Sequence, residues 1–357
     1  MRGAATRAVA VPLNFALGTS VKVIRTVPLL LVDVQTEEGV VGRAYLFGYS
    51  PAGAKAIALL LAEAVDVVKG QIADPPTLYR TLVRRFALIG VTGAVRMALS
   101  ALDMALWDAA AIAAGVPLAE LLGASRRPIR AYDSRGLGLM PPDKLADEAR
   151  ALLRKGLRAI KLRLGYSTLD EDLAALRALR ACIPGDVRVM VDYNQALTTT
   201  EAIRRGSALQ AEGIAWLEEP IRHDDYRGNA EIARTLDVPL QIGENFNGPE
   251  AMAEALAANA CDCVMPDVGR IGGVTGWIEA AGLAAASGVE VSSHLMPEAS
   301  VHLLSATPTA HWLEYVDWAD AILEEPLQVI DGAVAPGAGP GVGLKWDEAK
   351  LRRLSEP

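Results

Sequence analysis

Seven ionisable residues recur in the sequence at intervals of about one strand plus one helix. Each closely follows a short apolar run, and consecutive members are 20 to 29 residues apart. In a sheet of parallel strands joined by helices, the carboxyl ends of the strands meet at one rim, so these side chains should come together there. The seven residues are Arg163, Asp192, Glu218, Glu244, Asp267, His294 and Glu314.

Three neighbours in this series, Asp192, Glu218 and Glu244, are carboxylates. Like charges held close together cannot all stay ionised unaided, and a hard divalent cation among them removes the conflict. Carboxylate oxygens are typical ligands of Mg²⁺, and Mn²⁺ accepts the same donors. The alternative for any single carboxylate is a helix cap or a solvated charge at the rim. Because successive strand residues point to opposite faces, only one of Glu218 and Glu219 is expected to face the metal.

Lys161 and Arg163 lie two residues apart on one predicted strand, so both side chains should point to the same face of the sheet. We expect this face to be the one at the rim that the carboxylates share. A cation beside the metal can bind a substrate carboxylate and help to neutralise an enediolate. A lysine crowded by other cations can also lose its proton and act as a base. The alternative is a structural ion pair with the carboxylates.

His294 ends the seventh apolar run, and Asp267 ends the run before it. A hydrogen bond from one imidazole nitrogen to Asp267 would fix the tautomer of His294 and raise its basicity, which is suited to an acid/base group. The alternative is a satisfied structural histidine. The remaining histidines, interpreted as structural or surface residues, are His223, His302 and His311.

The elements that must position these residues fall into two groups. The first region predicts strands over Val27–Gln35 and Val40–Phe47 and then a block of helices, which is typical of an α+β module. The predicted helices are Ala54–Lys69, Pro76–Phe86 and Gly93–Ala114. From about Arg126, short apolar runs alternate with helical patterns, which indicates parallel strands. Eight such strands would close a TIM-like barrel, and a doubly wound open sheet is the alternative.

Composition excludes several classes of protein. The 357 residues carry a net charge of −8, and no basic stripe is present, so nucleic-acid binding is not expected. Met1–Ala10 has no apolar stretch that is typical of a signal peptide, and no uncharged run reaches the roughly 20 residues of a membrane span. We therefore expect a cytoplasmic protein without membrane contacts. The cysteines, interpreted as buried apolar residues and not as zinc ligands, are Cys182, Cys261 and Cys263.

Several local motifs resemble the mandelate racemase group of the enolase superfamily. They are KLRLGY, VDYNQ, WLEEP, IGEN, RIGGVTGW and SATPTAHWLE, and ALSALDMALWDA resembles the N-terminal signature of the family. The resemblance covers essentially the whole chain. It implies an α/β fold, namely a (β/α)7β modified TIM barrel with an N-terminal α+β capping domain. The implied divisions are a cap over 1–125, a barrel over 126–320 and a C-terminal segment over 321–357 that returns to the cap. It also implies a symmetric homo-oligomer.

The resemblance also assigns roles to the residues at the rim. It implies that Asp192, Glu218 and Glu244 bind Mg²⁺ and that Lys161 binds the carboxylate of a small-molecule substrate. His294, supported by Asp267, would be an acid/base, and Glu314 would donate a hydrogen bond to the carboxylate as it becomes an enediolate. The implied flanking substrate contacts are Ser134, Asn194, Tyr49 and Arg270. Where the family pattern has lysine, this chain has Arg163 and Arg270.

Three functions remain open at this stage. The first is transfer of the α-proton of a 2-hydroxy acid, favoured by apolar residues in the predicted cap loops Asn14–Ile24 and Phe47–Ala52 and in the preceding strand. These residues are Leu17, Val21, Val23, Tyr45, Phe47 and Tyr49. The second is dehydration of an aldonate or aldarate to a 2-keto acid, which needs only one base and is therefore compatible with arginine at Arg163. The third is a metal-binding homologue without turnover.

Overall fold

The computed structural model describes residues 1–19 and 22–355. The chain begins with a three-stranded antiparallel sheet in the order β1 (Gly3–Gly18), β2 (Val23–Gln35) and β3 (Val41–Phe47). Strand β1 was not among the predicted strands, and the predicted loop over Asn14–Ile24 is wrong. β1 pairs with β2 from Gly3↔Gln35 onward. The partner's backbone hydrogen bonds therefore hold a segment of alternating Ala, Arg and Val that has little strand signal of its own.

Four helices follow, namely α1 (Pro51–Val68), α2 (Pro75–Arg85), α3 (Gly93–Ala114) and α4 (Leu118–Leu121). Helix α3 ends at Gly115, whose φ of 73° is left-handed and suits glycine. By length and composition α3 is long and apolar enough to cross a membrane, but 72% of its most apolar window is buried inside the protein. It packs against β3 and α1 and is therefore the core helix of the cap.

Short parallel strands then form the barrel. They are β4 (Ile129–Asp133), β5 (Ala159–Arg163), β6 (Arg188–Asp192), β7 (Leu217–Glu218), β8 (Leu240–Ile242), β9 (Cys263–Val264), β10 (Glu290–Val291) and β11 (Leu313–Tyr315). Each pairs with the next in parallel from β4 to β10, and β11 pairs with β4. Backbone hydrogen bonds from Val291 and Ser293 to the segment just before β11 close the ring. The predicted barrel is confirmed.

Helices connect consecutive strands and cover the outside of the barrel. They are α5 (Pro142–Leu153), α6 (Leu169–Cys182), α7 (Thr199–Gln210), α8 (Tyr226–Thr235), α9 (Pro249–Ala257), α10 (Val268–Ile271), α11 (Gly273–Ser287) and α12 (Pro297–Ser305). Their starts are fixed locally. Thr168 and Glu171, for example, form a capping box at the start of α6, which satisfies backbone N–H groups that the helix cannot satisfy itself.

The C-terminal segment touches both parts of the fold. Strand β12 (Ala333–Val334) pairs antiparallel with β4, and the last described helix, α13 (Glu348–Ser355), packs on β1. The indole of Trp346 donates a hydrogen bond to Asp33 at 2.8 Å. These contacts agree with a segment that returns to the cap, while the boundaries at residues 125 and 320 stay predictions.

Large side chains fill the interior of the barrel below the carboxyl ends of the strands. Tyr132, Met190, Trp216 and Trp312 are buried together in its interior, and the rings of Tyr132 and Trp216 meet edge to face at 5.3 Å. The polar side chains near the carboxyl ends of the strands therefore stand on a packed apolar base, as is usual for such barrels.

Candidate active site

Lys161 is the centre of a buried charge cluster near the carboxyl end of β5. Its Nζ lies 2.6 Å from Glu218 Oε1, 2.8 Å from Glu314 Oε1 and 3.3 Å from Asp192 Oδ2. Burial lowers the pKa of Lys161, but the charges of Glu218 and Glu314 outweigh burial and raise that pKa well above its usual range. Lys161 is therefore a cation in this arrangement, and its role as a base stays a prediction.

Glu218 is the last residue of β7, and Glu219 directly follows it. Both carboxylates have hydrogen-bond partners near the rim. Glu218 Oε2 accepts hydrogen bonds from Trp216 Nε1 at 3.0 Å and from Gln241 Nε2 at 3.3 Å, deep in the barrel. Glu219 has a left-handed φ of 35°, which turns the chain out of the strand. Asn245 Nδ2 then donates to both Glu219 Oε2, at 2.8 Å, and the neighbouring rim residue Glu244, at 3.2 Å. Both glutamates therefore have partners near the rim, and the expectation that only one of the pair faces the metal stays a prediction.

Asp192 is oriented by the turn that follows β6. Its Oδ1 accepts the backbone N–H of Asn194 at 2.7 Å, and its Oδ2 accepts the Asn194 side-chain amide at 3.1 Å. Asn194 has a left-handed φ of 45°, a conformation that asparagine tolerates better than most residues. The turn therefore places both the predicted metal ligand and the predicted substrate contact at the rim.

The donor set here fits a hard divalent cation. Within the part of the chain that the structure describes, the carboxylates of Asp192 and Glu218 both lie against Lys161, and Asn245 bridges the carboxylates of Glu219 and Glu244. Burial and the charges of Glu244 and Asp192 raise the pKa of Glu219 well above its usual range. This repulsion is what a divalent cation relieves, and oxygen donors of this kind suit Mg²⁺.

His294 and Asp267 form a dyad across the mouth. His294 Nδ1 lies 2.7 Å from Asp267 Oδ2, while Asp267 Oδ1 accepts the backbone N–H groups of Gly269 and Arg270 at the start of α10. These N-cap hydrogen bonds orient the Asp267 carboxylate, which in turn orients the His294 imidazole. Burial lowers the pKa of His294, but the charges of Glu244 and Glu314 and the bond to Asp267 outweigh it and raise that pKa to about 9. His294 Nε2 lies 3.3 Å from Glu244 Oε2.

Arg163 is held by hydrogen bonds on its own side of the mouth. Its Nη1 donates to the backbone oxygen of Gly136 at 2.8 Å, and its Nη2 donates to Ser134 Oγ at 3.0 Å and to the Ser134 backbone oxygen at 3.3 Å. Arg163 is buried, so these bonds are shielded from water. The structure thus joins two predicted site residues into one fixed cationic group.

Glu314 accepts hydrogen bonds in this arrangement. Its Oε1 lies against Lys161, and its Oε2 accepts the backbone N–H of Leu295 at 2.8 Å. Burial raises the pKa of Glu314, but the charges of Lys161 and His294 outweigh burial and hold the pKa far below its usual range. A donor role for Glu314 would require the proton that this arrangement disfavours, and that role stays a prediction.

Cap and barrel together enclose a cavity of about 260 Å³ above these groups. The cap residues that line it are Leu17, Thr19, Lys22, Ile24, Phe47 and Tyr49. Two expected lid residues do not contribute. Val23 is 57% exposed, and Tyr45 is buried in the core with its hydroxyl donating to Glu298 at 2.5 Å. Val21 lies outside the described residues.

Arg270 joins the cap to the mouth. Its guanidinium lies over the ring of Tyr49, 4.5 Å from the ring centre, in a cation–π contact. It also donates to the side-chain oxygen of Asn245 and to the backbone oxygen of Glu244, the latter at 3.4 Å. Both predicted substrate contacts, Tyr49 and Arg270, therefore border the cavity and touch each other.

The sequence analysis missed several residues of the site. Asn245, which binds Glu219, Glu244 and Arg270, directly follows a predicted ligand, and that adjacency was a usable signal. Lys22 donates to the backbone oxygen of Tyr49 at 3.3 Å and lines the cavity from the cap. Trp318 lies beyond the end of β11, where no periodicity pointed to the mouth.

Comparisons with known proteins agree with this geometry. Residues 1–123 match the family model "Mandelate racemase / muconate lactonizing enzyme, N-terminal domain", and residues 144–350 match "Enolase C-terminal domain-like". L-talarate/galactarate dehydratase of Salmonella typhimurium is 31% identical over 334 residues, which are 93% of this chain and 83% of the relative.

Two solved structures are more similar still. An enolase from Bradyrhizobium complexed with magnesium and mandelic acid is 41% identical, with a TM-score of 0.95, covering 100% of this chain and 98% of the other. An enolase from alpha pretobacterium bal199 with bound magnesium is 41% identical, with a TM-score of 0.97, covering 99% and 98%. Together with the barrel and the cap, these matches show that the chain belongs to the mandelate racemase/muconate lactonizing enzyme family of the enolase superfamily.

Proposed function

We propose that this protein is a magnesium-dependent acid-sugar dehydratase with a single base. His294 removes the α-proton of a 2,3-dihydroxy carboxylate, and the resulting imidazolium returns that proton to the 3-hydroxyl as it leaves. One water is lost, and the enol that remains rearranges to a 2-keto acid. The supporting observation is the contrast between the two sides of the mouth, with the His294–Asp267 dyad on one and the hydrogen-bonded Arg163 on the other.

The metal ligands in this proposal are Asp192, Glu218 and Glu244. Magnesium in two 41% identical structures supports the choice of metal. When bound, it would polarise the substrate carboxylate and offset the negative charge that develops on it. Glu219 lies beside this set, and its hydrogen bond from Asn245 holds it next to Glu244. We assign Glu219 the role of orienting the donor set and not of a fourth ligand.

The remaining residues bind and orient the substrate. Lys161 is a buried cation that attracts the substrate carboxylate and stabilises the dianionic enediolate after proton removal. Asn194 and Ser134 flank it, and Arg270 with Tyr49 forms the wall toward the cap. The substrate is thus a small carboxylate, and assembly as a homo-oligomer and a cytoplasmic location remain predictions.

Arginine keeps its proton in proteins, so it is a poor base on the second face of the α-carbon. A racemase needs a base on each face, whereas elimination of water needs one. A racemase-like activity on an aryl 2-hydroxy acid is the second candidate. Apolar residues on the cap side of the cavity and the mandelic acid bound to a similar structure favour it.

Incubation in heavy water separates these functions. The magnesium-loaded protein is incubated with each enantiomer of mandelate and, separately, with a panel of aldonic and aldaric acids, and α-deuterium and 2-keto acid are measured. We expect 2-keto acid from at least one sugar acid and exchange from at most one mandelate enantiomer. Exchange from both enantiomers would establish the two-base racemase instead. A panel without product or exchange would support the homologue without turnover.

A pair of histidine variants completes the test. We expect His294→Asn to abolish product formation and exchange, because it removes the proposed base. His223→Asn is the matched control, because His223 donates its backbone N–H to Gln195 and its imidazole has no role in this proposal. Equal loss in both variants would contradict the role given to His294.

A further inference from the structure

Three potential metal ligands meet at the opposite end of the barrel from the proposed active site. Cys263 begins β9, Glu290 begins β10, and His311 lies two residues before the start of β11. Their ligand atoms all lie within 4.8 Å of one another, and His311 Nε2 is 3.4 Å from Glu290 Oε2. The carboxyl-end site lies at the other end of the same strands, so this cluster is separate from it.

Strand register brings the three together. Cys263 and Glu290 are direct partners in the parallel pair β9–β10. On the other side of β10, Val291 N–H donates to Thr309 O, while Ser293 N–H donates to Trp312 O. Two residues of β10 therefore span three of the neighbouring segment, which is the pattern of a β-bulge. The bulge lets His311 and Trp312 both turn toward the barrel, and the His311 ring lies 5.8 Å from that of Trp216.

We propose that Cys263, Glu290 and His311 bind a divalent transition-metal ion of the zinc type. Thiolate and imidazole ligands select such ions over magnesium, which prefers oxygen donors only. Three protein ligands with one exposed member, Glu290, leave a coordination position for water. The ligands come from three separate strands, so no short zinc spacing exists in the sequence, and the interpretation of Cys263 as a buried apolar residue missed them.

Such an ion would link the amino ends of β9, β10 and the segment before β11, where the ring closes through an irregular hydrogen-bond pattern. Nearby charge sets a limit on its affinity. The positive charges of Arg130 and Arg188 lie near His311 and oppose the binding of a cation, whereas the negative charge of Glu290 favours it. The Arg130 guanidinium lies over the Trp312 ring, 4.6 Å from the ring centre. The ion would bind only the folded chain and so stabilise it.

Cobalt binding tests the site, because a thiolate–cobalt bond gives a charge-transfer absorption that oxygen ligands do not. The full-length protein, saturated with magnesium to fill the carboxyl-end site, is titrated with Co²⁺ and then with Zn²⁺. We expect one thiolate–cobalt band per chain that zinc displaces, and a higher melting temperature with zinc. Absence of the band at saturating cobalt overturns the proposal.

Variants locate the ligands. We expect Cys263→Ser to abolish the band and His311→Ala to weaken cobalt binding more than about 10-fold. Cys261→Ser is the matched control, because Cys261 lies two residues away but is not in the cluster. A band that survives in Cys263→Ser and disappears in Cys261→Ser contradicts the assignment. Circular dichroism of each variant shows whether it is folded, and zinc that raises the melting temperature of Cys263→Ser as much as that of the natural protein also contradicts the assignment.

This site is independent of the proposed dehydratase activity. We expect Cys263→Ser to keep the α-proton chemistry of the natural protein and Asp192→Asn to keep the thiolate–cobalt band. A band lost in Asp192→Asn would show that the cobalt occupies the carboxyl-end site, which would overturn the second site. Failure to find a sugar-acid substrate would leave the cobalt result unaffected.

Discussion

Single residues at the mouth are fixed by partners that also set their charge. Lys161 is held as a cation by three carboxylates, and Arg163 is held by Ser134 and Gly136. The dyad of His294 and Asp267 is different, because the imidazole keeps one nitrogen directed to the cavity side. These fixed charges act in a buried site, where electrostatic interactions are stronger than in water.

Replacing Asp267 with asparagine tests how the imidazole is oriented. In Asp267→Asn, the amide can keep capping α10 through its oxygen, but its N–H₂ faces His294 Nδ1 and favours the wrong tautomer. We expect kcat to fall about 10²- to 10⁴-fold with little change in KM. Asp262→Asn is the control, because Asp262 accepts a backbone N–H from Leu240 away from the mouth. An unchanged kcat in Asp267→Asn would remove the dyad from the mechanism.

Replacing Arg163 with lysine tests whether the absence of a second base at this position prevents racemisation. Lysine is a smaller cation that can lose its proton when crowded, and it cannot make all the hydrogen bonds of Arg163 to Ser134 and Gly136. We expect Arg163→Lys to acquire slow α-deuterium exchange from the second enantiomer of a 2-hydroxy acid. Proton magnetic resonance in heavy water measures this exchange. Arg163→Met, which offers no base, should not acquire it, and exchange in both variants would implicate a different group.

Elements of the cap are positioned by close backbone approach. Gly42 on β3 lies directly on α3, where an added Cβ would meet the backbone oxygen of Ala105 and approach the backbone nitrogen of Ala109 to 2.6 Å. No flexible side chain can yield there, since the contacts are backbone atoms and the Cβ of Ala109. The packing of β3 on α3 in turn positions Phe47, which ends β3 and lines the cavity.

The Gly42→Ala variant should therefore lose stability. We expect the free energy of unfolding to fall by about 3 kcal/mol, because overpacking against a rigid backbone forces the elements apart. Chemical denaturation monitored by circular dichroism measures the change. Gly3→Ala, at an open position of β1, is the matched control and should stay within about 0.5 kcal/mol of the natural protein. Equal stabilities of the two variants would show that β3 is free to shift.

At the scale of the whole molecule, buried polar contacts join cap and barrel. Asp103 of α3 accepts the backbone N–H of Thr275 in α11 at 2.9 Å. His302 of α12 accepts the backbone N–H of Ala119 in α4 through Nδ1, at 3.2 Å. Because the cavity lies between cap and barrel, these contacts bear on its shape as well as on stability.

His302 predicts a pH dependence of stability. Burial is the main cause that lowers the pKa of His302 to about 4, and the charge of Arg126 lowers it further. A proton on Nδ1 would also displace the bond from the Ala119 N–H. Below about pH 6.5 the His302 imidazole is protonated in the unfolded chain but stays neutral in the folded chain. The free energy of unfolding therefore falls as the pH drops from about 6.5 to about 4. We expect this loss to be at most about 3 kcal/mol.

The His302→Asn variant isolates that effect. Asparagine keeps an acceptor near the Nδ1 position but does not titrate. We expect lower stability than the natural protein at pH 7, because volume is lost, but a shallower decline between pH 6.5 and pH 4.5. Denaturation at a series of pH values measures both, and parallel curves for the two proteins would assign the acid sensitivity to other groups.

The amino-acid pattern alone predicts the barrel, most of the cap and the set of residues at the rim. Strand–helix units of regular length have few ways to pack, and their carboxyl ends necessarily share one edge, so Asp192, Glu244 and His294 could be placed from spacing alone. The motifs then indicated the family, which the comparisons confirmed.

The partners and directions of those side chains follow from the folded chain and could not be predicted from the pattern. Strand alternation could say only that Glu218 and Glu219 point in different directions, whereas the fold shows Glu219 in a left-handed turn with Asn245 bridging it to Glu244. The paired hydrogen bonds of Arg163, the core position of Tyr45 and the meeting of Cys263, Glu290 and His311 depend on partners from distant parts of the chain. A sequence pattern reports the local periodicity of the backbone, whereas charge state, side-chain direction and long-range contacts are set by neighbours that the fold brings together.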